Sequence, residues 1–238
     1  MILAVNTTTK QFGLALMNMD GVVLAEYLIL PKERNFRGFM PAFHALMESA
    51  RVVTEEIQMI SVAIGPGSFT GMRVGLAMAK GMAQGLRIPI IGVSSLEALA
   101  VQIAYANDPV CPIIDSRKGE VFTALFLQND HGEMVRTRED TCLRIADLAS
   151  IVTETTIVLG NDFNRQSHLI KEALGAEAVL AQAHLWNLRA SAVGTLGLKR
   201  FLAQDFDDAQ DLVPIYLRPP DIRPNLYASQ SGKSGEPK

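Results

Sequence analysis

A chain of 238 residues can hold one large core or two lobes, and its 22 basic and 25 acidic side chains leave a formal charge of −3, without the basic excess of a stand-alone nucleic-acid binder. No apolar run approaches ~18 residues without a charge or a helix breaker, so no membrane span is predicted. Cys111 and Cys142 lack CxxC spacing and MILAVN has no basic n-region, which fits reduced thiols in a cytoplasmic protein without a signal peptide.

The opening reads as three strands, Ile2–Asn6, Phe12–Met17 and Val22–Ile29, with Asp20-Gly21 as a tight turn. Asn35–Ala50 has a helical pattern that Pro41 should kink or delay. Ile60–Ile64 is β-branched and apolar, a buried strand, and Gly65-Pro66-Gly67 breaks it. Ser68 or Thr70 can cap the helix predicted over Phe69–Leu86. That helix sets Gly71, Gly75 and Ala79 four apart on one face, with Gly81 and Gly85 on an adjacent one. Four interior glycines oppose it by about 3–4 kcal/mol in propensity, so packing must recover the difference. A small-residue stripe suits a closely opposed backbone, and Met72, Leu76, Met78 and Met82 offer adaptable apolar contacts. A phosphate-loop reading fails on spacing, because Thr70 stands where both GxGxxG and a Walker loop need glycine. Two readings stay open for the turn and helix, a purely structural joint and a surface built for a partner protein. Pro89–Val93 is the next strand, and Ser94 or Ser95 caps a helix over Leu96–Ala106.

Asn107-Asp108-Pro109 marks a boundary, and beyond it the opening pattern recurs. Val110–Asp115 matches Ile2–Asn6, Glu120–Leu127 matches Phe12–Met17, and His131-Gly132 turns into Glu133–Thr137 as Asp20-Gly21 turns into Val22. Two copies of strand, polar turn, strand, turn and strand, each followed by helix and strand, predict a duplicated RNase H-like lobe. The second half continues with helices near Ile145–Val152 and Gln166–Leu174, strands over Thr156–Gly160 and Ala178–Leu180, and a helix over Asn187–Leu202 with Trp186 at its entrance. Asp211–Arg218 is expected to be extended, and SQSGKSGEPK from Ser229 disordered. The predicted division is 1–106, 107–219 and a tail over 220–238.

GPGSFTGMRVGLAMAKGMAQGL, preceded by ILAVNTTT, resembles the TsaB (YeaZ) family of tRNA-modification proteins, relatives of the TsaD threonylcarbamoyl transferases; the likeness runs from Met1 to about Pro219. The resemblance implies an α/β, actin-like (ASKHA) fold of two RNase H-like lobes, each a mixed sheet flanked by helices. It also implies a non-catalytic subunit without a cofactor, which binds a TsaD-like catalytic subunit and a TsaE-like ATPase. Together these would place a threonylcarbamoyl group on the adenosine beside the anticodon of ANN-decoding tRNAs. Such a protein would contact tRNA only through the complex and form a homodimer when alone.

The departures from the superfamily are informative. Where an acidic residue usually ends the first strand, this chain has Asn6-Thr7-Thr8, and a neutral amide is a poorer Mg²⁺ ligand than a carboxylate. IIDSRKGEVF resembles the family's Asp-Ala-Arg-x-Gly-Glu-Val-Tyr stretch, with Ser116 and Phe122 as changes, so Asp115 is the better candidate carboxylate. No His pair matches the HxxxH of catalytic relatives, and the family's Asn-His-Ser after an arginine is half kept as Arg34-Asn35-Phe36-Arg37. Ser68 lacks the GxSxG frame of a serine nucleophile. Neither a metal site nor a catalytic residue is therefore predicted.

The expected partner-binding residues are Gly71, Met72, Gly75, Met78, Ala79, Met82, Phe39 and Phe43. Gly65, Pro66, Gly67, Ser68, Thr70 and Arg73 are expected to build the turn and cap, and Asn6, Thr7, Asp115 and Arg117 to be cleft polar residues. Arg73, a cation in the first turns of a helix, opposes the helix dipole; its guanidinium is predicted to meet a carboxylate or backbone carbonyls from elsewhere, the alternative being a solvated side chain. The rival functional class is a nucleotide-dependent enzyme of the same fold, an ATPase, kinase or peptidase-like protein working at Asp115.

Overall fold

The computed structural model describes residues 1–30, 37–117 and 119–218. Arg34, Asn35, Phe36 and the tail expected over 220–238 lie outside the described residues. The first sheet is built from β1 (Ile2–Asn6), β2 (Phe12–Met17), β3 (Val23–Ile29), β4 (Met59–Gly65) and β5 (Ile90–Ser94), in the order β3-β2-β1-β4-β5. The second is built from β6 (Val110–Asp115), β7 (Glu120–Gln128), β8 (Met134–Arg144), β9 (Thr156–Leu159) and β10 (Ala178–Leu180), in the order β10-β9-β6-β7-β8. In each sheet the central strand pairs antiparallel with the hairpin strand that follows it and parallel with the next one. The connectivity of the two sheets is therefore the same, as the repeated pattern predicts.

Among the described residues five helices cover these sheets: α1 (Phe39–Ala50), α2 (Phe69–Leu86), α3 (Ser95–Ala100), α4 (Phe163–Leu174) and α5 (Ala190–Leu202). Helices α1 and α2 share one face of the first sheet, burying Phe39, Phe43 and Leu46 with Leu76, Ala79 and Ala83 against Leu3, Val5 and Val62. On the other face the helices change partners. α5, the last of these helices, packs on β1, β2, β4 and β5, while α3 packs on β6, β7 and β8. One core consequently runs between the sheets, from Ile2, Met17 and Met59 to Ile113, Val121, Phe126 and Trp186. Ser61 Oγ donates to Val193 O across this layer (2.8 Å).

Several ends differ from expectation for local reasons. Pro41 delays α1 without kinking it: it falls in the first turn of Phe39–Ala50, where a missing N–H leaves no bond unmade. The helix expected over Leu96–Ala106 ends at Ala100 and continues as one 3₁₀ turn to Ile103, and the one near Ile145–Val152 is a 3₁₀ segment over Ile145–Ser150. Asp162 accepts from Arg165 N and starts α4 three residues before the predicted Gln166. After α5 the chain returns to the first lobe without a regular strand. Asp207 pairs with Ile90, Leu212 packs beside Gly92, Ile215 N donates to Ile64 O (2.9 Å), and Arg218 meets Glu120 of the second lobe (2.6 Å). This strap over 207–218 covers β5, which would otherwise be a bare sheet edge.

Candidate functional site

Three places can carry function: the turn after β1 under the start of α2, the outer face of α2, and the turn after β6. In the first, Asn6 is wholly buried and every polar atom of its side chain is engaged. Its Nδ2 donates to Leu188 O (3.0 Å) and Thr9 Oγ1 (3.3 Å), and its Oδ1 accepts from Thr8 N and Thr8 Oγ1. Thr7, also buried, donates from Oγ1 to Gly71 O (2.7 Å), and Ser68 N donates to Thr8 O (2.7 Å). Asn6 and Thr7 thus form a sealed joint, and the structure corrects their expected place on an open cleft.

The same joint explains the glycines. A Cβ at Gly67 would overlap Thr8 O, one at Gly71 would overlap Thr7 O, and one at Gly75 would overlap Thr7 Oγ1. The closely opposed backbone that the Gly71/Gly75/Ala79 stripe demands is this chain's own first turn. With Met72, Phe39 and Phe43 also buried, six of the eight residues expected to bind a partner face inward; Met78 and Met82 remain half-buried. Ser68, not Thr70, caps α2, its Oγ accepting from Gly71 N (3.2 Å), and Gly65 holds φ +113° beside the cis Gly65-Pro66 bond.

The outer face of α2 reverses this picture. Thr70, Arg73, Ala77, Gly81, Gln84 and Gly85 are exposed, and a Cβ at Gly81 or Gly85 would meet nothing within 4 Å. Arg73 meets neither carboxylate nor carbonyl among the described residues. Its guanidinium carbon lies 3.9 Å from the centroid of Phe69, and its Nε donates to Tyr216 Oη (3.0 Å). The tie to a distant segment is present, but through a phenol and two rings instead of an anion.

After β6 lies a cleft of about 580 Å³, walled by Asp115, Ser116, Gly119, Glu120, Arg144, Ile145, Arg165, Gln166 and Leu169 among others. Asp115 accepts from Gln166 Nε2 (2.9 Å) and from Arg165 Nη1 (3.2 Å), while its N–H donates to Asn161 Oδ1 (3.0 Å). Gln166, itself fully buried, also accepts from the amides of Asn161 and Asp162. Arg117 is exposed on the turn and does not wall the cleft. Cys142 sits 3.8 Å from Ser116 Oγ, and partial burial pushes its thiol pKa up. Sequence reasoning did not nominate Asn161, Arg165 or Gln166, although the Gly160-Asn161-Asp162 turn before α4 was a usable signal. Among the described residues no group of three or more His, Cys, Asp or Glu side chains could share a metal ion, and no helix is long and apolar enough to cross a membrane.

A family model described as TsaD, tRNA N6-adenosine threonylcarbamoyltransferase, matches residues 33–194. The tRNA threonylcarbamoyladenosine biosynthesis protein TsaB of Bacillus subtilis (strain 168) is 34% identical over 232 residues, 96% of this chain and 99% of that one. The chain belongs to the TsaB family. TsaB of Escherichia coli (strain K12) is 35% identical over 133 residues, covering 55% of this chain and 57% of that protein. YeaZ from Pseudomonas aeruginosa superposes with a TM-score of 0.74 at 22% identity, over 90% of this chain and 99% of that one. The fold extends to component A of the Acidaminococcus fermentans (R)-2-hydroxyglutaryl-CoA dehydratase, with a TM-score of 0.50 at 10% identity over 84% and 98% of the two chains. The TsaB assignment and these neighbours agree on an actin-like fold with two mixed sheets.

Proposed function

We propose that this TsaB-family protein is a non-catalytic subunit of the machinery that makes threonylcarbamoyladenosine in tRNA, acting in the cytoplasm. In this reading it binds a TsaD-like catalytic subunit and works with a TsaE-like ATPase, with tRNA reached through the complex. Its two lobes divide near 106/107, with α5 and the strap over 207–218 returning to the first, and the first carries the partner surface. The observation that carries the reading is the sealed turn at Asn6. Where relatives of this fold would need a carboxylate open to ligand, an amide is locked onto Leu188 O and covered by Gly67, Gly71 and Gly75. A fold kept with that position closed is best explained by its surface.

The partner surface moves accordingly to the outer side of α2: Val74, Ala77, Met78, Gly81, Met82 and Gly85, with exposed Met40 of α1 on the same side of the sheet. Without its partner this face would pair with a second copy. The test is to mix the purified protein with the TsaD-type protein of the same organism and follow mass by light scattering. Gly81→Leu should abolish or strongly weaken the complex without lowering the melting temperature. An unaffected complex would refute this surface, and no complex with wild type would refute the function.

The Asp115 cleft favours the second reading, an ATPase, kinase or peptidase-like enzyme, because a held carboxylate there faces open volume. ATP or peptide turnover by the isolated protein that disappears in Asp115→Ala would establish it. The proposed function expects no turnover above background.

A further inference from the structure

Arg73 stands near the start of α2's outer face, and the role inferred for it rests on that face being the partner surface. The side chain is exposed, yet it is not free to wander. The guanidinium carbon stands over the Phe69 ring, 3.9 Å from its centroid, the Tyr216 ring centroid is 5.9 Å away, and Tyr216 Oη takes the Nε hydrogen. The two terminal nitrogens have no acceptor among the described residues. A surface arginine normally loses rotamer freedom when it binds; here two rings and a hydroxyl have already removed much of it. The pair of donors still presented matches a carboxylate.

The surroundings favour an anion from a protein. α2 carries Arg73 and Lys80 and no acidic residue, and Arg87 caps its C-terminus, in a chain whose formal charge is −3. Half-buried Val74, Met78 and Met82 lie among these cations, and Gly81 and Gly85 leave room for a close approach. A polyanion gains nothing from that apolar surface, whereas a helix carrying carboxylates on one edge uses both features. A second copy of this chain can share the apolar part of the face but offers Arg73 no carboxylate from its own α2, which brings only cations. We propose that Arg73 determines partner specificity on this face: its preformed fork takes a carboxylate from an acidic helix of the TsaD-like subunit.

The experiment is calorimetric titration of the full chain with the TsaD-type protein at about 50 mM and about 500 mM salt, with melting curves for each variant. Arg73→Gln is expected to weaken the complex about tenfold and to remove most of its salt dependence. Arg73→Lys should keep the salt dependence while recovering only part of the affinity, because it loses the fork. Tyr216→Phe, which frees the Nε but keeps the ring, should weaken binding about threefold. If Arg73 only ties down the strap, Arg73→Gln will lower the melting temperature and leave the affinity unchanged, which overturns the proposal. The proposal is also overturned if Arg73→Gln spares this complex and instead weakens self-association or binding of transfer RNA. Loss of the complex in Gly81→Leu but not in Arg73→Gln would remove Arg73 alone and leave the surface standing. Indifference to both variants would remove the surface as well.

Discussion

The turns that follow β1 and β6 occupy the same place in two sheets of the same connectivity, yet one is closed and the other open. After β1, Gly67, Gly71 and Gly75 let α2 drop onto Thr7 and Thr8, and Asn6 spends its whole amide inside the joint. After β6, the covering helix α4 presents Arg165, Gln166 and Leu169, which stand beside a cleft of about 580 Å³. Side-chain size on one turn of one helix separates a structural joint from a cavity. The strand-end residues follow suit. A charge at position 6 would be shut against Leu188 O, whereas Asp115 keeps two donors and an open side.

The largest way to break this contrast is to add a side chain under α2. Gly75→Leu has no space against Thr7 and should destabilise the protein by about 4 kcal/mol or more, the range of severe core disruption. Gly81→Ala, on the opposite face of the same helix, enters empty space and should stabilise by about 0.8–1.0 kcal/mol through helix propensity. Denaturant unfolding of both variants decides it. Equal effects at the two positions would mean that α2 is not seated on the Thr7 turn.

Exchanging the strand-end residues tests the electrostatic half of the contrast. Asn6→Asp removes the donor to Leu188 O and buries a carboxylate facing a carbonyl, so a loss of about 3 kcal/mol is expected near neutral pH. The folded-state pKa of that carboxyl must be raised. Its destabilisation should therefore shrink as pH falls, because the protonated acid is neutral and can donate again. Asp115→Asn keeps an oxygen for Gln166 and loses only the pair with the exposed Arg165, so about 0–1 kcal/mol is expected. Melting temperatures between acid and neutral pH distinguish the two variants. A mild Asn6→Asp with no pH trend would show that water reaches the first turn.

Much of this architecture could be read from local pattern. β-branched runs, Asp20-Gly21 and the recurrence of strand, polar turn and strand place the hairpins of both lobes, because those signals act over a few residues. The inward face of α2 could not be read that way. Gly71/Gly75 and Gly81/Gly85 have the same spacing, and the choice between them is made by Thr7, which is 64 residues from Gly71. Phe39 and Phe43 are apolar residues equally suited to a core or an interface, and packing on β2 and β3 decides for the core. The partner of Arg73 was out of reach for the same reason. Tyr216 lies 143 residues away, and its strap is held in place by tertiary bonds to Ile64 and Glu120, not by a strand of its own.

The smallest of the three contrasts is between the central strands themselves. β6 carries Cys111, wholly buried 3.1 Å from Thr123 Oγ1, while β1 consists of Ile2, Leu3, Ala4, Val5 and Asn6 and has no titratable side chain. Burial pushes the Cys111 thiol from its ordinary 9.0 up to about 11, with the Thr123 hydrogen bond opposing the rise. The folded chain thus keeps the neutral thiol where the unfolded chain would release its proton. The stabilisation is complete below the ordinary pKa and is lost progressively as pH rises from there to the folded value. By about pH 10 the difference amounts to roughly 1.4 kcal/mol. Cys111→Val lacks the group and should lose less stability than wild type between about pH 8 and pH 10, measured as paired denaturant midpoints. Parallel losses in the two proteins would mean that the thiol is already ionised in the fold or that the strand admits water.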